Sequence, residues 1–259
     1  MTAILDNAAA IGFDGVELRG ASGDHIGHDE SPAACATIRQ RFAAAGLEAA
    51  RIMGYSNFVA DDPAQIDQAV ENMTAMVGVA AAIGCPTLRI FAGDNPGIDR
   101  AELISRAAAG IRRVAPRAEA AGVRLALETH DAWCKGANLG ALFEAVDSPA
   151  LGLCWDVCNS FFAEPLEETY QAVKGRIAHV HFKDGASKPD GGEYSVLPGT
   201  GEVDLKKALT LIRDDGYTGW LSFEWEKKWQ PELAEPEVAL PVFYAYTTAL
   251  MQELGIPRG

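Results

Sequence analysis

The chain is short of cysteine, histidine, cationic side chains and long apolar runs, and each shortage removes a class of function. Its cysteines, Cys35, Cys85, Cys134, Cys154 and Cys158, are odd in number, and none falls in a Cys-x-x-Cys pair. That excludes a disulfide framework and a zinc ribbon, and it fits the reduced thiols of a cytoplasmic protein. Lysine and arginine number 22 against 36 aspartates and glutamates, a formal charge of −14. Binding to a phosphate backbone needs a basic footprint, so nucleic acid is not an expected partner. No apolar segment approaches the roughly 20 residues that span a bilayer. The first dozen residues are too short and lack the basic start of a secretory signal, so no membrane association is expected. No tight repeat, low-complexity segment or linker interrupts the 259 residues. The whole chain, 1–259, therefore reads as one domain of a length that α/β barrels commonly reach.

What is present is a regular alternation of helical and apolar strand patterns. Helices are expected over 2–11, 31–45 (Ser31 as cap and Pro32 in the first turn), 61–83, 99–121, 139–146, 166–173, 205–214 and 235–254. Gly12, Gly46, Gly84 and Gly122 stand where helices stop, and Pro116 is placed to kink the fourth. Strands are expected over 15–19 (GVELR), 48–55, 87–91 (TLRIF), 124–128, 151–156, 177–182 and 220–225. This spacing indicates βαβ units and a parallel sheet, a (β/α)8 TIM-barrel type of fold. Seven strands are readable where closure needs eight, and the first is the one lacking. Either an upstream strand is missing, or another element covers the gap, because an open parallel edge is usually protected.

Four of these apolar runs stop at a side chain able to bind a metal. RLALE ends at Glu128, LGLCWD at Asp156, IAHVH at His181, and GWLSFE at Glu224. In a parallel α/β architecture the C-terminal strand ends face one crevice, so these residues are expected to converge despite their distance along the chain.

ETHD after a strand, WDV at the next strand end, HVHFKD, PGTGEVD and a final GWLSFEWE occur in that order. With GFDGVELRG near the start, they resemble the xylose isomerase-like TIM-barrel superfamily of sugar and sugar-phosphate isomerases and epimerases. The resemblance covers nearly the whole chain and is most specific from Gly122 onward. It implies one divalent metal held by Glu128, Asp156, His181 and Glu224, with Glu128 and Glu224 also acting as acid and base. Two features depart from the pattern. Many relatives carry Asp-x-x-His where this chain has Asp156-Val157-Cys158-Asn159, so Asn159 can bond a hydroxyl but cannot exchange a proton near neutral pH. The first strand, which often contributes a substrate-side residue in the family, is the other.

Three carboxylates and an imidazole form a mainly hard donor set, suited to Mn²⁺, Mg²⁺ or Co²⁺ and admitting Zn²⁺. The chemistry it suits is proton abstraction beside a carbonyl to give an enediolate, whose charge a divalent metal stabilises. The expected activity is isomerisation or epimerisation of a small sugar or sugar derivative. Dehydration of an inosose or dehydroshikimate-like ring begins with the same step and is the nearest alternative. An endonuclease on this barrel would need more His and Asp ligands and a basic groove, and the five histidines argue against it. A degraded, non-catalytic barrel is opposed by the presence of all four ligands. Expected substrate contacts are Glu17, Arg19, Arg89, His130, Trp133, Asn159, Lys183 and Glu226. His179, two before His181 on the same strand face, reads as a deeper supporting histidine. Pro198 to Glu202 offers amides for an anion such as phosphate, or a plain turn. Members of the superfamily often pair, so a homo-oligomer fits the resemblance.

Overall fold

The long helices begin and end where the sequence supplies caps. Ser31 Oγ accepts from the Ala34 amide at the start of Pro32–Ala45, Asp62 caps Pro63–Ile83, and Asp99 caps Arg100–Ala121. Gly46, Gly84 and Gly122 close these three helices in the left-handed conformation that glycine adopts without strain. Arg100–Ala121 runs through Pro116 as one element. The computed structural model describes residues 1–257 apart from Ser22 and Asp190.

Seven strands form one parallel sheet: β1 Gly15–Gly20, β2 Glu48–Gly54, β3 Thr87–Ile90, β4 Arg124–Glu128, β5 Leu151–Asp156, β6 Ile177–His181 and, after an excursion, β9 Leu221–Ser222. The order around the sheet is β1-β2-β3-β4-β5-β6-β9, every neighbouring pair parallel. Helices pack outside it, which makes a nearly closed TIM barrel. The excursion between β6 and β9 is an antiparallel hairpin of β7 Asp184–Ser187 and β8 Glu193–Val196. Neither this hairpin nor the short helix Val157–Ala163 was expected. The helix starts directly from Asp156 with no glycine or proline to punctuate the join.

The last strand is shorter than its apolar pattern. Only Leu221 and Ser222 pair, against Val180 and His181. β6 ends at His181, and no described residue pairs with the far side of β9, so Phe223 to Trp225 have no neighbour with which to extend a ladder. The opening between β1 and β9 is the place of the absent eighth strand. Side chains bridge it. At the base the Trp220 ring lies against Gly15, where any added Cβ would stand 2.7 Å from it. Phe13 and Phe223 both stack on Phe243 of the helix Pro236–Glu253. At the top Asp24 pairs with both Arg19 and Lys228, linking the loops that follow β1 and β9.

β1 and β9 are the two edges of the sheet that face this opening, and unpaired strand edges are a liability. On β1 the loop already bonds Arg19, whose backbone N–H donates to His25 Nδ1 and whose carbonyl accepts from the Ile26 amide. Fusing about a dozen residues ahead of Met1, half of them an alternating apolar strand of typical length, is expected to raise Tm by several degrees. An unchanged Tm in differential scanning calorimetry would mean that the aromatic bridges and loop contacts already cover these edges.

Candidate metal centre

Glu128 ends β4, Asp156 ends β5, His181 ends β6, and Glu224 follows β9 by two residues. A ligand atom from each lies within 4.8 Å of all the others. His181 Nδ1 sits 3.3 Å from Glu224 Oε2, 3.5 Å from Asp156 Oδ2 and 3.6 Å from Glu128 Oε1. The parallel register that aligns Asp156 with His181 and Glu128 with Cys154 brings them together.

Each carboxylate turns one oxygen toward this histidine and has the other held by the protein. Glu128 Oε2 accepts from Arg89 Nη1 at 2.9 Å, and Glu224 Oε1 accepts from the same nitrogen at 3.4 Å. Asp156 Oδ1 caps the Val157–Ala163 helix by accepting from the Asn159 amide at 2.8 Å. Thr129 fixes the Asp156 backbone: its Oγ accepts from the Asp156 amide and donates to the Asp156 carbonyl. Behind His181, Nε2 faces Glu17 Oε2 at 3.4 Å and touches Arg51. Glu17 in turn accepts from Arg51 Nε at 2.9 Å, and from His179 Nε2 at 2.8 Å. A carboxylate behind a ligating histidine sets its ring orientation and raises its basicity.

The charges decide what the centre can hold. Burial pushes the Glu128 carboxyl up, but Arg89 and His181 together bring the pKa down to about 2. Burial likewise works against ionised Glu224 and Glu17. His181 and Lys183 outweigh it for Glu224, and Arg51 with the two histidines does so for Glu17, so both lie well below the usual range. Lys183 is held well above its usual value, Asp156, Glu224 and Glu226 overcoming its burial. Burial would lower His181, yet Cys154 and Glu224 hold it well above the ordinary value. The field that favours a proton on that ring favours any cation there. With both histidines neutral, the state a metal-ligating imidazole requires, five carboxylates (Glu17, Glu128, Asp156, Glu224, Glu226) meet three cations (Arg51, Arg89, Lys183). Two negative charges are left over, the charge of one divalent ion. His181 Nδ1 is, moreover, a buried polar atom that makes no hydrogen bond, and Asp156 Oδ2 has only the ion pair with Lys183 Nζ at 3.0 Å. Hard oxygens and an imidazole nitrogen left without a hydrogen bond fit Mg²⁺, Mn²⁺, Co²⁺ or Zn²⁺. Cys154 also comes within reach of Glu128 and His181, a juxtaposition its sequence spacing did not announce.

A cavity of about 750 Å³ opens beside the centre and continues down the gap between β1 and β9. Glu17, Arg19, Arg89, Glu128, His130, Glu224 and Glu226 line it. Arg89 lies over the faces of Tyr55 and Phe91 there. Three residues expected at the substrate are not in its lining. Trp133 is buried and donates its indole N–H to the Gly93 carbonyl at 2.6 Å. Asn159 donates its side-chain amide to the Thr129 carbonyl at 3.0 Å. Lys183 is buried among Asp156, Glu224 and Glu226. The anion held by the glycine-rich turn is the protein's own: Gly199, Gly201 and Val203 donate their amides to the Asp184 carboxylate. Arg51 and Thr129 were not anticipated. An arginine inside the apolar run EAARIMG was a signal for the first, and the place of the second inside ETHD was a signal for it.

Residues 5–241 match the family model of the xylose isomerase-like TIM barrel. The 2-epi-5-epi-valiolone 7-phosphate 2-epimerase of an Actinoplanes species is 30% identical over 212 residues, 80% of this chain and 75% of that protein. The 3-oxo-isoapionate decarboxylase of Pectobacterium atrosepticum is 27% identical over 211 residues, 71% of this chain and 74% of that one. The inosose dehydratase of Klebsiella pneumoniae is 27% identical over 217 residues, 70% of each. Among solved structures, L-ribulose 3-epimerase aligns at a TM-score of 0.79 and 21% identity, covering 99% of this chain and 92% of that one. The IOLI protein with a bound zinc atom aligns at 0.79 and 16%, covering 98% and 93%. These two likenesses are of fold.

His179 provides a pH test of the charge network. Burial and Arg51 lower its pKa to about 4, against the pull of Glu17. The folded state therefore keeps it neutral while the unfolded chain takes up a proton near the ordinary value of about 6.5. Stability is present above that pH and lost as pH falls toward 4. His181, shifted the other way, has made its full contribution once pH is below 6.5. Tm measured in chelator from pH 7 to 4.5 is expected to fall more steeply in the wild type than in His179→Gln, and equal slopes would contradict this.

Proposed function

Because the chain belongs to the xylose isomerase-like TIM-barrel family across residues 5–241, we propose that it is a divalent-metal-dependent isomerase or epimerase of a small sugar or sugar derivative. One observation carries the reading: of the four residues at the centre, Glu128 and Glu224 line the cavity, and one guanidinium, Arg89, holds both. A substrate in the cavity meets these two carboxylates, while Asp156 and His181 hold the ligand set from below.

Glu128, Asp156, His181 and Glu224 would hold the divalent ion, which when bound would supply Lewis-acid stabilisation of negative charge beside a carbonyl. The protein supplies the rest. Glu128 and Glu224 are ionised at neutral pH, the state needed to take a proton from the carbon beside the carbonyl. One removes it. In an aldose–ketose isomerisation the same carboxyl then gives the proton to the neighbouring carbon. In an epimerisation the other carboxyl, having first taken a proton from solvent, delivers that proton to the opposite face. Arg89 keeps the pair charged and fixes their separation. Arg19, His130 and Glu226 at the rim offer donors and acceptors for hydroxyls, and Tyr55 and Phe91 form an apolar wall. Epimerase relatives and structural neighbours support this reading.

A second reading, dehydration of a cyclic polyol ketone, starts with the same proton abstraction and is favoured by the inosose dehydratase relative. His130, half-exposed at the rim and paired with Asp131 at 2.8 Å, is placed to protonate a departing hydroxyl. Loss of water from the product separates the two.

With the metal-loaded protein and a panel of ketoses in D₂O, exchange of a carbon-bound proton is expected. Glu224→Gln should keep the fold and lower that exchange by roughly 10²- to 10⁴-fold, the scale of acid–base catalysis. Full exchange in this variant would refute the assignment of Glu224.

A further inference from the structure

Lys183 is a cation built into the wall of the centre. Its ammonium hydrogen-bonds Glu224 Oε2 at 2.7 Å and Glu226 Oε1 at 2.7 Å, and it stands 3.0 Å from Asp156 Oδ2. Glu224 Oε2 and Asp156 Oδ2 are the same two oxygens that face His181 Nδ1. Half of the oxygen and nitrogen atoms that converge on the centre are therefore shared with an ammonium group. Its third partner differs. Glu226 is outside the ligand set and is itself held from the other side, its Oε2 accepting from Gln230 at 2.8 Å. Gln230 is tied in turn to Ser195 of the hairpin. The lysine stem is buried, its side chain only 3% exposed, so the ammonium has no route to water that would remove it from the centre.

We propose that Lys183 and Glu226 form a pair that sets the metal affinity of the centre: Lys183 competes with the ion for Asp156 and Glu224, and Glu226 limits the competition by holding the ammonium. The inference rests on the metal-centre reading above. The physical warrant is that two cations sharing carboxylate oxygens in a buried site repel strongly, because little water screens them. A carboxylate that keeps the ammonium to one side reduces the repulsion without binding the ion. Lys183 is thus a positioning residue and Glu226 its anchor. The sign of the effect distinguishes this from a structural role, since a lysine that merely braced the ligands would weaken binding when removed.

The test is Mn²⁺ binding by isothermal titration calorimetry to wild type, Lys183→Met, Glu226→Gln and the double variant. Lys183→Met is expected to bind Mn²⁺ at least tenfold more tightly and Glu226→Gln at least tenfold more weakly. In the Lys183→Met background the Glu226→Gln penalty should shrink to less than threefold, because no ammonium is left to hold. Unchanged or weaker binding by Lys183→Met overturns the proposal. So does a Glu226→Gln penalty of equal size in both backgrounds, which would make Glu226 a simple contributor of negative charge. If Lys183→Met does not fold, Glu226→Gln at its partly exposed position carries the test, and unchanged affinity there overturns it. Absence of Mn²⁺ binding in every protein, wild type included, overturns the metal-centre reading together with this one.

Discussion

The structure depends on balancing five carboxylates gathered at one end of a barrel axis. Leaving one such charge unpaired costs about 3–5 kcal/mol, a large part of a typical stability of about 5–15 kcal/mol. Arg51, Arg89 and Lys183 answer three of the charges, each from inside the barrel rather than from its surface. They also divide the labour by depth. Arg51 serves Glu17 and the histidines below, Arg89 joins Glu128 to Glu224 in the middle, and Lys183 joins Asp156, Glu224 and Glu226 on the far side. With His181 neutral, as a ligand must be, the remainder is two negative charges around a buried imidazole nitrogen that makes no hydrogen bond, an electrostatic specification for a divalent ion.

That specification is assembled by strand register. A one-residue slip in β4, β5 or β6 would turn its ligand away from the axis, and the protein guards against this at Asp156 in particular. Thr129 locks the Asp156 main chain to the end of β4, and the cap that Asp156 provides for the following helix leaves a single oxygen free to face His181. The same residue ends a strand, starts a helix and faces the cluster that could hold a metal ion, so a change there alters fold and site together. The weakest part of the frame is the opening between β1 and β9, where Trp220 on Gly15, the phenylalanine stack and the Asp24 ion pairs replace ladder hydrogen bonds. The cavity runs into this opening, so the substrate side of the centre and the least secured part of the barrel are one region.

Much of this was legible in the sequence. The helix limits followed from caps, because Ser31, Asp62 and Asp99 act locally and need no tertiary information. The seven strands followed from apolar runs, and the convergence of Glu128, Asp156, His181 and Glu224 from the rule that parallel strands end at a common face. Other features were not readable, for physical reasons. The Val157–Ala163 helix has no start signal apart from Asp156, which already served as a strand end. The shortness of β9 is a property of its missing neighbour rather than of its own residues. Whether Trp133, Asn159 and Lys183 face the cavity depended on partners such as Gly93, Thr129 and Glu226, which lie far off in the chain. For the glycine-rich turn the sequence left a plain turn and an anion cradle both open, and its anion, Asp184, could be identified only once the fold had brought the two together.

The central claim, a single divalent ion held by four strand-end ligands, is most directly tested by the metal content of the purified protein. Inductively coupled plasma mass spectrometry of wild type and His181→Ala, after exchange into metal-free buffer, should find about one divalent ion per chain in the first and a large loss in the second. No stoichiometric metal in the wild type, with none taken up from added Mn²⁺, would contradict the account and leave a barrel that uses its buried charges for something other than metal binding.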